Sequence, residues 1–249
     1  MSITSRSYGR IADRYEEARG GAARADQIYA ALLPWLADVG SLCDVGVGTG
    51  IIADLVGASG VRVVGVDVSI EMLRQAGRRL PGRVAVADGA ALPLASRSVD
   101  AVSFVWVLHH VGDMAGALLE AARVVREGGR VIAISGYADP VDDDIDPIFR
   151  AFDEVLRPER LTHSDDVLTA ADAAGLALDV ICDAVVAFET TPHELADAIE
   201  NKMYAPLWDL DDERWSSIVV PAIKALRALH DPDRSRHREV HHPMWVWHR

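Results

Sequence analysis

Cysteine is scarce in this 249-residue chain. Cys43 and Cys182 are the only two, and each sits inside an apolar run. That excludes a disulfide framework and fits buried, reduced thiols. Positive charge is also short: 25 Lys and Arg against 38 Asp and Glu leave a formal charge of −13 and a pI near 5.0. Such a surface repels a phosphate backbone, so a nucleic-acid partner is not expected. The densest basic group, Arg74, Arg78, Arg79 and Arg83, reads as a solvated helix face running into the next strand. No run approaches the ~18 uninterrupted apolar residues of a membrane span, so no membrane partner is expected. The first twenty residues hold Asp13, Glu16 and Glu17 and no apolar stretch of a secretory signal. The expectation is a cytoplasmic protein. Neither an internal repeat nor a low-complexity segment is visible.

What remains is an ordinary globular balance, half hydrophobic and a quarter charged, in a length that suits one α/β domain with a modest appendage. Between residues 41 and 137 short apolar runs alternate with helical periodicity. Strands are predicted at 41–46, 61–67, 83–87, 98–107 and 130–137, and helices at 49–57, after Ser69, and at 113–127, the last stopped by Gly128-Gly129. Strands buried on both faces with short connections imply a doubly wound, mostly parallel sheet of Rossmann-like type. Helices are predicted at 148–156 and 164–175, then a long strand at 176–189. Thr191-Pro192-His193-Glu194 has capping-box spacing with proline at the first helical position. A further helix covers about 211–229. A last strand, 239–248, is expected to pair antiparallel with 176–189. The segment 189–238 is thus a helical insertion before the final strand.

The strongest local signal is Asp44-Val45-Gly46-Val47-Gly48-Thr49-Gly50, where the first strand turns into the first helix. Glycines there allow a tight turn and close approach of a ligand to backbone N–H groups. Asp67, ending the second strand, can accept hydrogen bonds from both hydroxyls of a ribose. A dinucleotide pattern started at Gly46 fails at Ile51. Started at Gly48 it runs through Gly50 to Ala53, so an NAD-dependent oxidoreductase stays open as an alternative. Asp44, two residues ahead of Gly46, is badly placed for a pyrophosphate and well placed for an ammonium group. S-adenosyl-L-methionine carries that charge and no phosphate.

The order of these segments resembles the class I S-adenosylmethionine-dependent methyltransferases. Residues 43–53 are similar to their first motif, and 64–69 with Met72-Leu73 to the second. Residues 87–94, 98–111 and 118–135 resemble the three that follow. The nearest subgroup is that of the ubiquinone/menaquinone-biosynthesis C-methyltransferases and many natural-product methyltransferases. Residues 8–15 resemble its opening segment, which would make 1–38 an N-terminal helical lid on a single methyltransferase domain.

The resemblance implies that Asp44 and the backbone around Gly46 and Gly48 hold the methionine moiety, and Asp67 the ribose. Val68 and Met72 would flank the adenine, Asp88 would accept from its amine, and Gly89 would offer a backbone donor. Phe104 stands where many relatives have Asn, so any contact there would run through its backbone.

On the acceptor side, methyl transfer needs orientation more than acid–base help. His109 and His110, at the end of the fourth strand, are the candidate bases. His110 is favoured for the pocket, with Tyr15 on the supposed lid as a second catalytic candidate. Asp142, Asp143 and Asp144 read as solvated rather than metal-binding. The insertion would roof the pocket with Met203, Tyr204, Leu207 and Trp208, which suits a hydrophobic or aromatic small-molecule acceptor. A third reading keeps cofactor binding without turnover, in a partner or sensor protein.

Overall fold

A computed structural model describes residues 20–150, 164–204, 207–208 and 210–249. These fall into two compact units. The first comprises 20–138, 164–185 and 241–249; the second comprises 139–150 and the described part of 186–240.

In the first unit, helix α1 (Gly21–Leu32) buries Ala25, Ile28 and Leu32 on one face and packs against α2. The expected lid 1–38 therefore ends in core-packed helix, while its residues 1–19 lie outside the described set. Next come β1 (Ser41–Val45), α2 (Ile51–Ala58), β2 (Arg62–Asp67), α3 (Ile70–Arg79), β3 (Val84–Val86) and β4 (Val99–Val105). They are followed by α4 (Met114–Val124) and β5 (Val125–Ile134). After α5 (Asp146–Arg150), which belongs to the second unit, and α6 (Ser164–Ala173), the long strands β6 (Ala177–Thr190) and β7 (Arg236–His248) complete the sheet.

The strand order is β3-β2-β1-β4-β5-β7-β6. Strands β1 to β5 are parallel, and β7 runs antiparallel to β5 with Ile132 opposite Val246. This is the Rossmann-like α/β arrangement expected. All five residues of β1 are buried, because helices cover both faces of a parallel sheet. Ser69 caps α3 by accepting from Met72 N, and Asp113 caps α4 through Gly116 N.

Two details depart from the sequence reading. Helix α4 stops at Val124, four residues before the glycine pair. The glycines instead lie within β5, where the register with β4 shifts between Val99 and Ala101. Gly129 sits so close to Asp100 O that a Cβ would come within 2.5 Å of it, so the pair lets the strand bulge rather than ending the helix. Strand β7 also lies between β5 and β6 and pairs with β5 as well. That interior position explains why Met244, Trp245, Val246 and Trp247 are all buried.

The second unit has its own core, in which Leu195 and Ile199 of α7 (Pro192–Glu200) meet Ala222, Ile223 and Leu226. The capping box at Thr191 and Glu194 is formed in both directions. The predicted helix at 211–229 is broken into α8 (Asp212–Arg214), a π-helical turn (Trp215–Val219) and α9 (Val220–Arg227). Pro221 lacks the N–H an uninterrupted α-helix would use, and the wider turn before it absorbs the gap. Two of the three aspartates read as solvated are engaged instead. Asp143 pairs with Arg238 and Asp144 with Arg236, and both arginines are buried. A buried guanidinium requires such a partner. No cluster of metal-ligating residues occurs among the described residues.

Candidate cofactor and acceptor site

The site begins where β1 ends. Gly46 N and Val47 N both donate to Val66 O, at 2.8 and 3.0 Å, which folds the turn back over β2. Gly46 has a φ of 72°, and a Cβ there would meet Val107 Cγ2 at 2.3 Å. Both the backbone conformation and the close approach of the loop after β4 require glycine.

Asp67 locks this turn from the end of β2. Its Oδ2 accepts from Gly48 N at 2.9 Å and its Oδ1 from Ser69 N at 2.8 Å. Burial holds its carboxyl above the usual range, against the N–H groups of Ser69, Gly48 and Val68, which pull it down. A carboxylate accepts about four donors, so Asp67 can order the turn and still take hydroxyl groups.

A cavity of about 220 Å³ opens at this edge of the sheet, within the first unit. Its wall includes Gly46, Gly48, Asp67, Val68, Met72, Asp88 and Gly89, and on the other side His109 and His110. The structure thus brings together most of the residues singled out from sequence. Met72 is buried while Val68 is exposed. Asp88 Oδ1 accepts from Ala90 N, which fixes the loop after β3.

Three singled-out residues stand elsewhere. Tyr15 lies outside the described residues. Phe104 does not line the cavity: it is fully buried in the core, because its position on β4 faces the packed helices. Val105 and Trp106 take the wall instead. Asp44 is also absent from the wall. It is 5% exposed and accepts from Ser103 Oγ at 2.6 Å on the neighbouring strand. Burial pushes its carboxyl up to about 7; the Ser103 bond opposes this and nearby Asp67 adds to it. Asp44 is therefore buried at β1 and bonded to β4 rather than exposed on the cavity wall.

The wall beyond Gly46 includes residues that the sequence did not mark: Arg24 from α1, Trp106, and Gly136 after β5. The Arg24 guanidinium lies over the Trp106 ring at 3.8 Å, and the Trp106 and His242 rings are 5.5 Å apart. His109 packs between His110 and Tyr137, with ring centroids 3.8 and 4.8 Å away. A Cβ on Gly136 would fall 2.0 Å from His109 Cε1. The one available clue to Trp106 was its place at the end of β4, the edge where open α/β sheets bind ligands.

Residues 43–133 match a family model described as a methyltransferase domain. A demethylmenaquinone methyltransferase of Corynebacterium kroppenstedtii is 39% identical over 98 residues, covering 39% of this chain and 42% of that protein. The chain thus spans less than half the length of this curated relative. Among solved structures, a geranyl diphosphate methyltransferase in complex with S-adenosylmethionine superposes with a TM-score of 0.56 at 20% identity. That match covers 90% of this chain and 85% of the other. The cyclase SpnF superposes with a TM-score of 0.62 at 17% identity, covering 98% and 95%. These structures share the fold, and a cyclase among them shows that the fold alone does not fix the chemistry. Over residues 43–133 the chain is similar to the methyltransferase-domain family, and within it to the S-adenosylmethionine-dependent methyltransferases of the quinone-biosynthesis type.

Proposed function

We propose that this protein transfers a methyl group from S-adenosyl-L-methionine to a small-molecule acceptor. The observation that carries the reading is the cavity, with two carboxylates, Asp67 and Asp88, on one side and two imidazoles, His109 and His110, on the other. Bound there, the cofactor would supply an electrophilic methyl group on a sulfonium. Asp67 would accept the ribose hydroxyls, Asp88 the adenine amine, and the Gly46–Gly48 backbone would border the methionine portion. Asp44 places a titratable carboxyl behind that turn, where a neighbouring cation favours its ionised form.

On the acceptor side, His109 is wedged against Gly136 and Tyr137 and serves to shape the wall. His110 is the residue we assign to taking a proton from an acidic acceptor hydroxyl or enol. The aromatic surroundings suit a planar or hydrophobic metabolite, and a cytoplasmic location goes with this reading. No described helix is long and apolar enough to cross a membrane.

The oxidoreductase alternative needs Gly50 to approach a pyrophosphate. Gly50 instead abuts Ala76 of α3, where a Cβ would lie 3.1 Å from Ala76 Cα, and it does not line the cavity. The test is calorimetric titration with S-adenosylhomocysteine and, separately, NAD. Micromolar binding of the first and none of the second is expected; the reverse would overturn the reading. Binding without methyl transfer to any acceptor in a broad metabolite screen would point to a partner or sensor protein.

A further inference from the structure

One part of the cavity wall stands on a long irregular loop. Between β3, which ends at Val86, and β4, which starts at Val99, residues 87–98 form no helix or strand, yet Asp88 and Gly89 line the cavity. A loop of that length keeps one conformation only when its backbone polar groups find partners. Here many of them come from α4.

Asp113, Gly116, Ala117, Glu120 and Arg123 recur at steps of three and four, so α4 and its cap present them as one stripe. Toward its start the loop lies directly on small residues. A Cβ on Gly116 would come 3.2 Å from Ala90 Cβ, and one on Gly89 would come 3.6 Å from Ala117 Cβ. One turn further on, Glu120 Oε2 accepts from Leu92 N at 2.8 Å. Arg123 meets the same carboxylate with a fork, Nε to Oε1 at 2.6 Å and Nη2 to Oε2 at 2.7 Å. Its other N–H groups donate to Leu92 O at 3.1 Å, Leu94 O at 2.8 Å and Ser96 Oγ at 3.3 Å. Every donor of the guanidinium is therefore used.

The pair does more than anchor. Leu92 is buried in the core and already holds the loop down. A part-exposed ion pair adds little stability to that. What its directional bonds add is a fixed distance and orientation, which recognition of a ligand edge requires. Asp88 stands four residues before Leu92, inside a turn closed by Ala91 N to Asp88 O at 3.0 Å and Ala90 N to Asp88 Oδ1 at 2.9 Å. A shift at Leu92 is thus passed to Asp88.

We infer that Glu120 and Arg123 are positioning residues for nucleobase recognition: they hold the loop so that Asp88 meets the amine of adenine. The inference rests on the methyltransferase reading above and deepens it.

The test uses the full chain, wild type and the variants Glu120→Ala, Glu120→Gln and Arg123→Lys. Each is titrated with S-adenosylhomocysteine and with S-inosylhomocysteine, in which a carbonyl replaces the adenine amine, and each is checked by thermal melting. Wild type is expected to favour the adenine nucleoside roughly tenfold or more. Glu120→Ala should weaken that nucleoside about tenfold and leave the inosine analogue within about twofold, so that the preference disappears. Glu120→Gln keeps an acceptor for Leu92 N and should recover most of it. Arg123→Lys loses the fork and should narrow the preference severalfold; it decides the matter if Glu120→Ala does not fold. An equal loss for both nucleosides, or a lower melting temperature with the preference intact, would mean that the pair is only a structural anchor and would overturn the inference. Wild type that binds both nucleosides equally would overturn the Asp88 assignment and the inference with it. Wild type that binds neither would overturn the methyltransferase reading itself, an outcome distinct from all of these.

Discussion

The two sides of the cavity are built in different ways. The side formed by β1, β2 and the loop after β3 draws on residues close in sequence, with Gly46, Gly48, Asp67, Val68, Met72, Asp88 and Gly89 falling within a span of 44 positions. Backbone hydrogen bonds hold it: the carboxylate of Asp67 receives N–H groups from both the glycine turn and Ser69. The other side gathers Arg24, Trp106, His109 and Gly136 from α1 and the ends of β4 and β5, supported by His242 on β7. Contacts between rings, and a guanidinium lying over one of them, hold that one. A local, backbone-built site suits a ligand with fixed chemistry. A side assembled from distant side chains can change its shape with few substitutions, which suits the reactant that distinguishes one methyltransferase from another.

If this contrast is right, the sharpest break comes at the joint between the sides. Gly46→Ala puts a Cβ against Val107 and forces a non-glycine residue to a φ of 72°. A loss of roughly 3 kcal/mol in stability is expected, together with loss of S-adenosylhomocysteine binding, read by urea denaturation and calorimetry. Retained binding at full stability would show that the turn is not what the nucleoside meets.

His110→Gln should separate the sides functionally. Turnover is expected to fall by about 10² or more with an acceptor that must lose a proton, while S-adenosylhomocysteine affinity stays within a fewfold. The limb of the pH–rate profile assigned to the imidazole should vanish with it. An unchanged profile would remove His110 from the chemistry.

Asp44→Asn sharpens the comparison through pH. The Asp44 carboxyl, at about 7 in the folded protein against 3.8 in the unfolded chain, binds a proton more tightly when folded. Stability from this group is complete below pH 3.8 and lost as pH rises toward 7. The loss is bounded by roughly 4 kcal/mol for a shift of that size. Asp44→Asn should therefore be more stable than wild type at pH 8 and similar to it at pH 4, while binding S-adenosylhomocysteine more weakly at pH 8, where Asp44 is ionised. Thermal melts across that range decide it, and a variant less stable at pH 8 would contradict the burial argument.

The smallest effect belongs to the wall behind the imidazoles. Gly136→Ala must displace the His109 ring, which lies between His110 and Tyr137. A cost of about 1–2 kcal/mol and altered acceptor KM are expected, with S-adenosylhomocysteine binding intact. If nucleoside affinity fell as much as acceptor use, the two sides would not be separate.

Much of the fold was legible because its signals are local. The alternation of apolar runs, the Ser69 cap and the capping box at Thr191 each depend on residues within a few positions, and each formed as expected. Gly128-Gly129 misled because a glycine pair serves a helix stop and a strand bulge equally well, and the choice was made by pairing with β4. Asp44 shows where local spacing stops being informative. Its spacing from the glycines is visible in sequence, but its burial and its bond to Ser103 on the neighbouring strand are not. Asp143 and Asp144 read as solvated because their buried partners, Arg238 and Arg236, lie more than ninety residues on.

The sequence by itself determined the α/β class, the glycine turn with its acid on the next strand, and the resemblance to class I methyltransferases. Those features follow from side-chain periodicity and from steric rules that act between near neighbours. Only the tertiary structure decided which side chains face the cavity, that β7 lies inside the sheet, and that Arg24 and Trp106 share one wall. These depend on packing between segments remote along the chain, where strand register and backbone direction, neither readable residue by residue, choose the side each group faces.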